Sequence, residues 1–171
     1  MQEGIIMKRL CVVLALFILL AGCAKQADFE TIADDLQVDV GEPDQITVWL
    51  PEEAAVPVME DDAGATLYLC EHYSVTSQTL QAGDLAQTIT EITGFSPDAI
   101  DVVSTQENGM KRYDLVWASA GEEGIQTCRA AVLDDGNYHY VLSAMGNGAE
   151  NAAFSSDWQR IFDSLALTDT D

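Results

Sequence analysis

Six side chains hold the sharpest chemistry in this sequence: Cys11, Cys23, Cys70, Cys128, His72 and His139. Cys11 and Cys23 fall in the N-terminal segment treated below. Cys70 and Cys128 form an even pair, and in an exported chain a disulfide between them is the first expectation. Closing a loop of that size would add about 3–4.7 kcal/mol in the chain-entropy model. The alternative is two reduced thiols packed as small apolar side chains. A nucleophile pair can be drawn from either sulfur with His72 or His139, yet nothing beside them supplies a third group to orient the imidazole. Cys70-Glu71-His72 offers metal donors, but a structural zinc site takes four ligands and the chain has 2 histidines. His139, between Tyr138 and Tyr140, suits a strand with one exposed face better than a ligand. No catalytic residue, metal ligand or cofactor is assigned.

Three motifs come close to known chemistry and fail on spacing. Gly94-Phe95-Ser96-Pro97-Asp98 lacks the last glycine of a nucleophile elbow and follows a helical pattern, whereas the elbow follows a strand. Gly146-Asn147-Gly148-Ala149-Glu150-Asn151 lacks the third glycine of a dinucleotide fingerprint and puts Glu150 where a phosphate would sit. Glu60-Asp61-Asp62-Ala63-Gly64 is acidic enough to attract calcium but does not follow EF-hand ligand spacing. A solvated hairpin tip is its simpler reading. The aromatic residues, Trp49, Trp117 and Trp158 among them, stand at strand and helix spacings that suit core and rim.

These groups must be positioned by a chain whose beginning reads differently from its remainder. Lys8 and Arg9 precede an unbroken apolar run from Leu10 to Leu20, then Ala21-Gly22 stand before Cys23. The 13 residues from Leu10 to Gly22 are too few to cross a hydrocarbon core, which takes about 20. Leu20-Ala21-Gly22-Cys23 resembles the bacterial lipobox. That resemblance implies cleavage before Cys23, diacylation of its thiol, and a membrane anchor on the extracytoplasmic face. Two acyl chains, at about 0.8 kcal/mol per buried CH₂, meet the two-signal requirement for stable anchoring. Met7 is a better start than Met1, because Glu3 is unusual in a positive leader. Residues 1–22 are thus expected as signal peptide, 23–45 as lipidated Cys and acidic tether, and 46–169 as a single domain.

The charge is lopsided. The whole chain carries a formal net charge of −22. Beyond residue 22 only Lys25, Lys111, Arg112, Arg129 and Arg160 oppose 28 carboxylates. Nucleic acid and bare anionic lipid would be repelled, while cationic ligands, metal ions and basic protein surfaces remain allowed.

Short β-rich runs follow Gln45: Ile46–Leu50, Val56–Met59, Thr66–Cys70 and Tyr73–Leu80. In residues 83–94, Leu85, Ile89 and Ile92 fall at i, i+4 and i+7, with Asp84 as N-cap and Gly94 as stop. Ile100–Thr105, Lys111–Ala118, Ile125–Leu133 and Tyr138–Met145 then read as four strands. Asn108-Gly109 and Asp135-Gly136 signal tight hairpins, so these strands form an antiparallel meander. Trp158, Ile161, Phe162 and Leu165 mark a closing helix capped by Ser155 or Ser156. Tyr113, Leu115 and Trp117 share one strand face, as do Tyr138, Tyr140 and Leu142, and one set should pack under Trp158 and Phe162. The layout, an α+β antiparallel sheet packed by two main helices, resembles the PsbP and Mog1 families, chiefly through residues 137–165. The resemblance implies a non-enzymatic binding or assembly module and carries over no functional residue. The other expectation is a small-ligand or divalent-cation (Ca²⁺) binder using the acidic loops.

Overall fold

The computed structural model describes residues 41–168 except 55, 62–63, 108, 122–123 and 148–150, and without side chains at 107, 147 and 151–154. The leader, Cys23 and most of the tether lie outside the described residues. Among those described, no helix is long and apolar enough to cross a membrane.

The fold is α+β. Its main sheet has seven antiparallel strands in the order β2-β3-β4-β8-β7-β6-β5. They are β2 (Met59–Glu60), β3 (Thr66–Leu69), β4 (Tyr73–Gln81), β5 (Asp101–Glu107), β6 (Met110–Gly121), β7 (Gly124–Asp134) and β8 (Tyr138–Asn147). The expected meander β5–β8 is present, and β4 joins it by pairing along β8 from Tyr73↔Gly146 to Gln81↔Tyr138. The tip of the β7–β8 hairpin sits at Gly136-Asn137, one residue beyond the pair marked by the sequence. The Asp135 carboxylate accepts from the N–H groups of Asn137 and Tyr138 at 2.7 and 2.6 Å, and Gly136 takes the left-handed φ of 95°.

Two helices cover opposite faces. Helix α1 (Leu85–Thr93) starts where the Asp84 carboxylate accepts from Ala86 N–H and stops at left-handed Gly94, as its residue types dictate. Its Ile89 packs with Leu115, Trp117, Cys128, Ala130, Val132 and Val141. Helix α2 (Asn151–Asp163) begins earlier than the expected serine cap. Its Trp158, Ile161 and Phe162 meet Tyr73, Val75, Leu133, Tyr140 and Leu142 on the other face. The Tyr140 and Leu142 set therefore packs under α2, and the Leu115 and Trp117 set under α1. Because β7 is covered on both sides, Ala130 to Leu133 are all buried, which accounts for its uninterrupted apolar run.

Two expectations are corrected at the sheet margins. Ile46–Leu50 yields only β1 (Gln45–Thr47), which pairs with an unanticipated β9 (Ala166–Thr168) through Ile46↔Leu167. Val56–Met59 contributes only Met59 to a strand, since Pro57 lacks the N–H a ladder needs. Residues 41–45, read as tether, are bonded into the fold. Tyr138 Oη donates to Gly41 O at 2.8 Å, and Asp44 N–H donates to Tyr140 Oη at 3.1 Å.

Candidate functional site

The sulfurs and imidazoles singled out by type do not assemble. Cys70 and Cys128 are both free. Cys70 packs among the α2-side residues, whereas Cys128 is wholly buried in the α1-side core. The sheet stands between them, so the disulfide weighed above is not formed. Burial pushes both thiols above their usual pKa, the opposite of what an activated nucleophile needs. His72 is exposed, 3.8 Å from Glu71. His139 corrects the expectation of an exposed strand face: it is buried, with Nδ1 2.8 Å from Thr88 Oγ1 and Nε2 4.0 Å from Asp134. It ties α1 to β8. Among the described residues no group of three His, Cys, Asp or Glu side chains converges as a metal site would require.

The rejected motifs take local roles. Gly94 caps α1, and Ser96 opens the turn Pro97–Ala99. In the acidic hairpin, Asp61 Oδ1 accepts from Ala65 N–H at 2.7 Å, so this carboxylate closes its own turn.

The charged cluster at the C-terminal end of α2 escaped sequence reading. Arg112 grips Asp114 through Nε at 2.8 Å and Nη2 at 3.1 Å, and donates from Nη2 to Phe162 O at 3.0 Å. Arg129 adds a contact to Asp114 at 3.3 Å and lies 4.3 Å above the Phe162 ring. Burial alone would raise the Asp114 pKa; the bonds and charge of Arg112, then those of Arg129, outweigh it and hold the carboxyl below its ordinary value. This cluster satisfies a helix-end carbonyl and fixes α2 to β6 and β7. Its work is structural.

Two concavities beside the sheet carry carboxylate groups. A cleft of about 640 Å³ opens between the outer strands β3 and β4 and the entry segment 42–46. Its floor carries Thr66, Tyr68, Ser77 and Thr79, and Glu42, Asp44 and Glu60 supply carboxylates. Thr66 faces Ser77 across the β3–β4 ladder. Tyr140 Oη, which anchors Asp44, also donates to Asp135 at 2.9 Å. Desolvation first, and then Asp135, push the Tyr140 pKa up to about 12 despite the opposing Asp44 N–H bond. The wall is thus held by a phenol that stays protonated through the physiological range. Hydroxyls, an amide and carboxylates in an open trough suit a polar neutral or cationic ligand. The second concavity, about 340 Å³, lies between the turn after α1 and β6, lined by Phe95, Asp98, Asp101, Val116, Trp117 and Ala118 among others. Sequence reasoning missed both, because each is assembled from separate segments of the chain.

No family model matches the chain, and no curated protein sequence matches it. Solved structures do. CyanoP, the cyanobacterial PsbP of Synechocystis, aligns at TM-score 0.51 and 10% identity, covering 75% of this chain and 95% of that one. LpqN of Mycobacterium tuberculosis, described as involved in cell envelope biogenesis, aligns at TM-score 0.51 and 12% identity over 76% of this chain and 88% of its own. PA94 of Pseudomonas aeruginosa aligns at TM-score 0.50 and 12% identity over 74% and 99%. At such identities the likeness speaks for the fold alone, and the fold is the PsbP-like α+β arrangement read from the sequence pattern.

Proposed function

We propose that this chain is an extracytoplasmic lipoprotein, cut before Cys23 and anchored by lipid on that residue, whose domain is a non-catalytic binding or assembly module. The observation that carries the reading is the run from Lys8-Arg9 through the apolar stretch to Leu20-Ala21-Gly22-Cys23, set before a domain whose described part begins at Gly41. The 17 residues between Cys23 and Gly41 could reach at most about 60 Å fully extended, enough to hold a domain clear of lipid headgroups. The involvement of LpqN in cell envelope biogenesis accords with such a location. The partner is a protein or small ligand; nucleic acid is repelled by the chain's charge of −22.

In a bacterial host fed labelled palmitate, the parent chain should mature and take up label in the membrane fraction. Cys23→Ala should persist as an unlabelled precursor. Normal maturation and labelling of Cys23→Ala would remove the lipoprotein reading.

A second reading rests on the cleft lined by Glu42, Asp44 and Glu60: a small-ligand or divalent-cation binder. Calorimetric titration with Ca²⁺ tests it. Saturable heat abolished by Glu60→Gln would favour this reading, and featureless heats of dilution would retire it for calcium.

A further inference from the structure

Strand β5 is shorter than its neighbour. Its pairing with β6 ends at Asp101↔Val116, while β6 runs on to Gly121. Trp117–Gly121 therefore has β7 on one side, from Trp117↔Cys128 to Gly121↔Gly124, and no strand on the other among the described residues. An open strand edge presents alternate N–H and C=O groups outward, ready for another strand. Natural edges are commonly blunted by Lys, Pro or a bulge. Residues 117–121, Trp-Ala-Ser-Ala-Gly, contain no charge and no proline.

The side chains beside this edge are unusually apolar. Val116, Ala118 and Ala120 alternate onto one face, and Ile125 stands opposite Ala120 on that same face. Ile125 is 73% exposed and Val116 50%. Helix α2 is bonded to β6 through Arg112, short of this strip, and Val116, Ala118 and Ala120 are all exposed. The hollow of about 340 Å³ lies where β5 stops and the overhang begins. Its walls combine apolar Phe95, Val116 and Ala118 with the carboxylates of Asp98 and Asp101. Among the described residues neither carboxylate has a salt-bridge partner. That lining matches a long basic side chain, with the methylene stem against the apolar wall and the charge at the two acids.

We infer that the Trp117–Gly121 edge and its adjoining hollow form a docking site for an extended, basic segment of a partner protein, which adds a strand to β6 and places a Lys or Arg side chain between Asp98 and Asp101. Backbone pairing supplies the attachment, the hollow selects the basic residue, and the strip from Val116 to Ile125 selects apolar side chains at alternate positions. The chain's net charge of −22 steers a basic segment toward it. A second copy is a poor occupant, since it repeats that charge and its own residues 117–121 bring no basic group to the hollow. The inference rests on the domain being a binding module and is independent of lipidation.

The test pans a displayed library of random nine-residue peptides against the full chain in detergent, then maps the selected peptides by amide hydrogen exchange. Enrichment of peptides with a basic residue followed by alternating β-branched or aliphatic positions is expected. Their binding should slow exchange at least tenfold within residues 117–121. Affinity should fall at least fivefold in the doubly substituted Asp98→Asn, Asp101→Asn chain, whose changes lie at exposed positions, and should be unmoved in Glu60→Gln. Selected peptides without basic residues, protection elsewhere, or indifference to the double substitution would overturn the inference. So would concentration-dependent self-association with protection of 117–121, which would make a second copy the occupant. Any of these could occur while palmitate still labels Cys23, so the two readings fail separately.

Discussion

The two faces of the sheet are finished to different degrees. On the α2 face, a 13-residue helix is buried along Trp158, Ile161 and Phe162, and its end is tied down by Arg112, Arg129 and Ser164. Ser164 Oγ also accepts from Trp49 N–H at 2.8 Å, and Arg160 stacks 3.8 Å above the Trp49 ring, so the entry segment is gathered into the same closure. On the α1 face, a nine-residue helix covers a smaller core and holds β8 through Thr88 and His139. The α2 face does most to hold the domain together, yet past Arg112 it runs out onto Val116, Ala118 and Ala120, exposed beside the open edge of β6 where a partner can reach them.

The largest effect should come from the finished face. Phe162→Ala removes a wholly buried ring and should cost about 3–5 kcal/mol, a large share of a typical domain's stability. Ile89→Ala on the α1 face should cost about 2 kcal/mol, the low end for such a truncation, because a short helix can settle onto the gap. Equal denaturation midpoints for these two variants would break the comparison. Thr88→Val would strand the His139 nitrogen in the core and should cost about 1–3 kcal/mol, read from the same urea curves. Arg160→Ala should lose only the exposed stack on Trp49, about 0.5–1 kcal/mol.

Acid gives the comparison another form. The Asp114 pKa is depressed in the fold, so its contribution is present above the unfolded carboxyl value, about 3.9, and disappears as pH falls through the folded value. Below about pH 4 the parent should therefore lose stability faster than Asp114→Asn, measured by thermal melts across pH 2–6. Parallel curves would deny the Arg112–Asp114–Arg129 cluster a part in closing the α2 face. Thiol reactivity sharpens the same picture at the smallest scale. Native Cys128 should resist alkylation, Cys70 should react slowly, and both should label fully in denaturant without reductant. Failure of both to label in denaturant would show a bridge and refute the placement of the two sulfurs on opposite faces.

Local signals in the sequence were enough for α1, because Asp84, Gly94 and the Leu85-Ile89-Ile92 spacing act within one helix. They were enough for the meander too, since short polar turns leave four strands no other way to pair. What could not be read locally was long-range. The β1–β9 pair joins residues near opposite ends of the domain, and β4 finds β8 across the whole of α1, β5, β6 and β7. His139 looked half-exposed because Tyr-His-Tyr alternation says nothing about a second helix lying over the strand. Asp114 gave no local sign of its role, because the cluster that joins it to Arg112 of β6, Arg129 of β7 and the end of α2 forms only in the fold. The hollow beside β6 exists because β5 begins only at Asp101, opposite Val116, a register fact with no local sign. Cys23 is the opposite case: the lipidation proposed for it rests on the order of a few neighbouring residue types and on nothing in the fold.

The central claim is that this acidic PsbP-like domain is displayed from a membrane by a lipid on Cys23. Intact mass of the protein extracted from host membranes tests it most directly. The account predicts a polypeptide beginning at Cys23 with the added mass of two acyl chains. A chain that retains residues before Cys23, or one that begins there with no acyl mass, would contradict it.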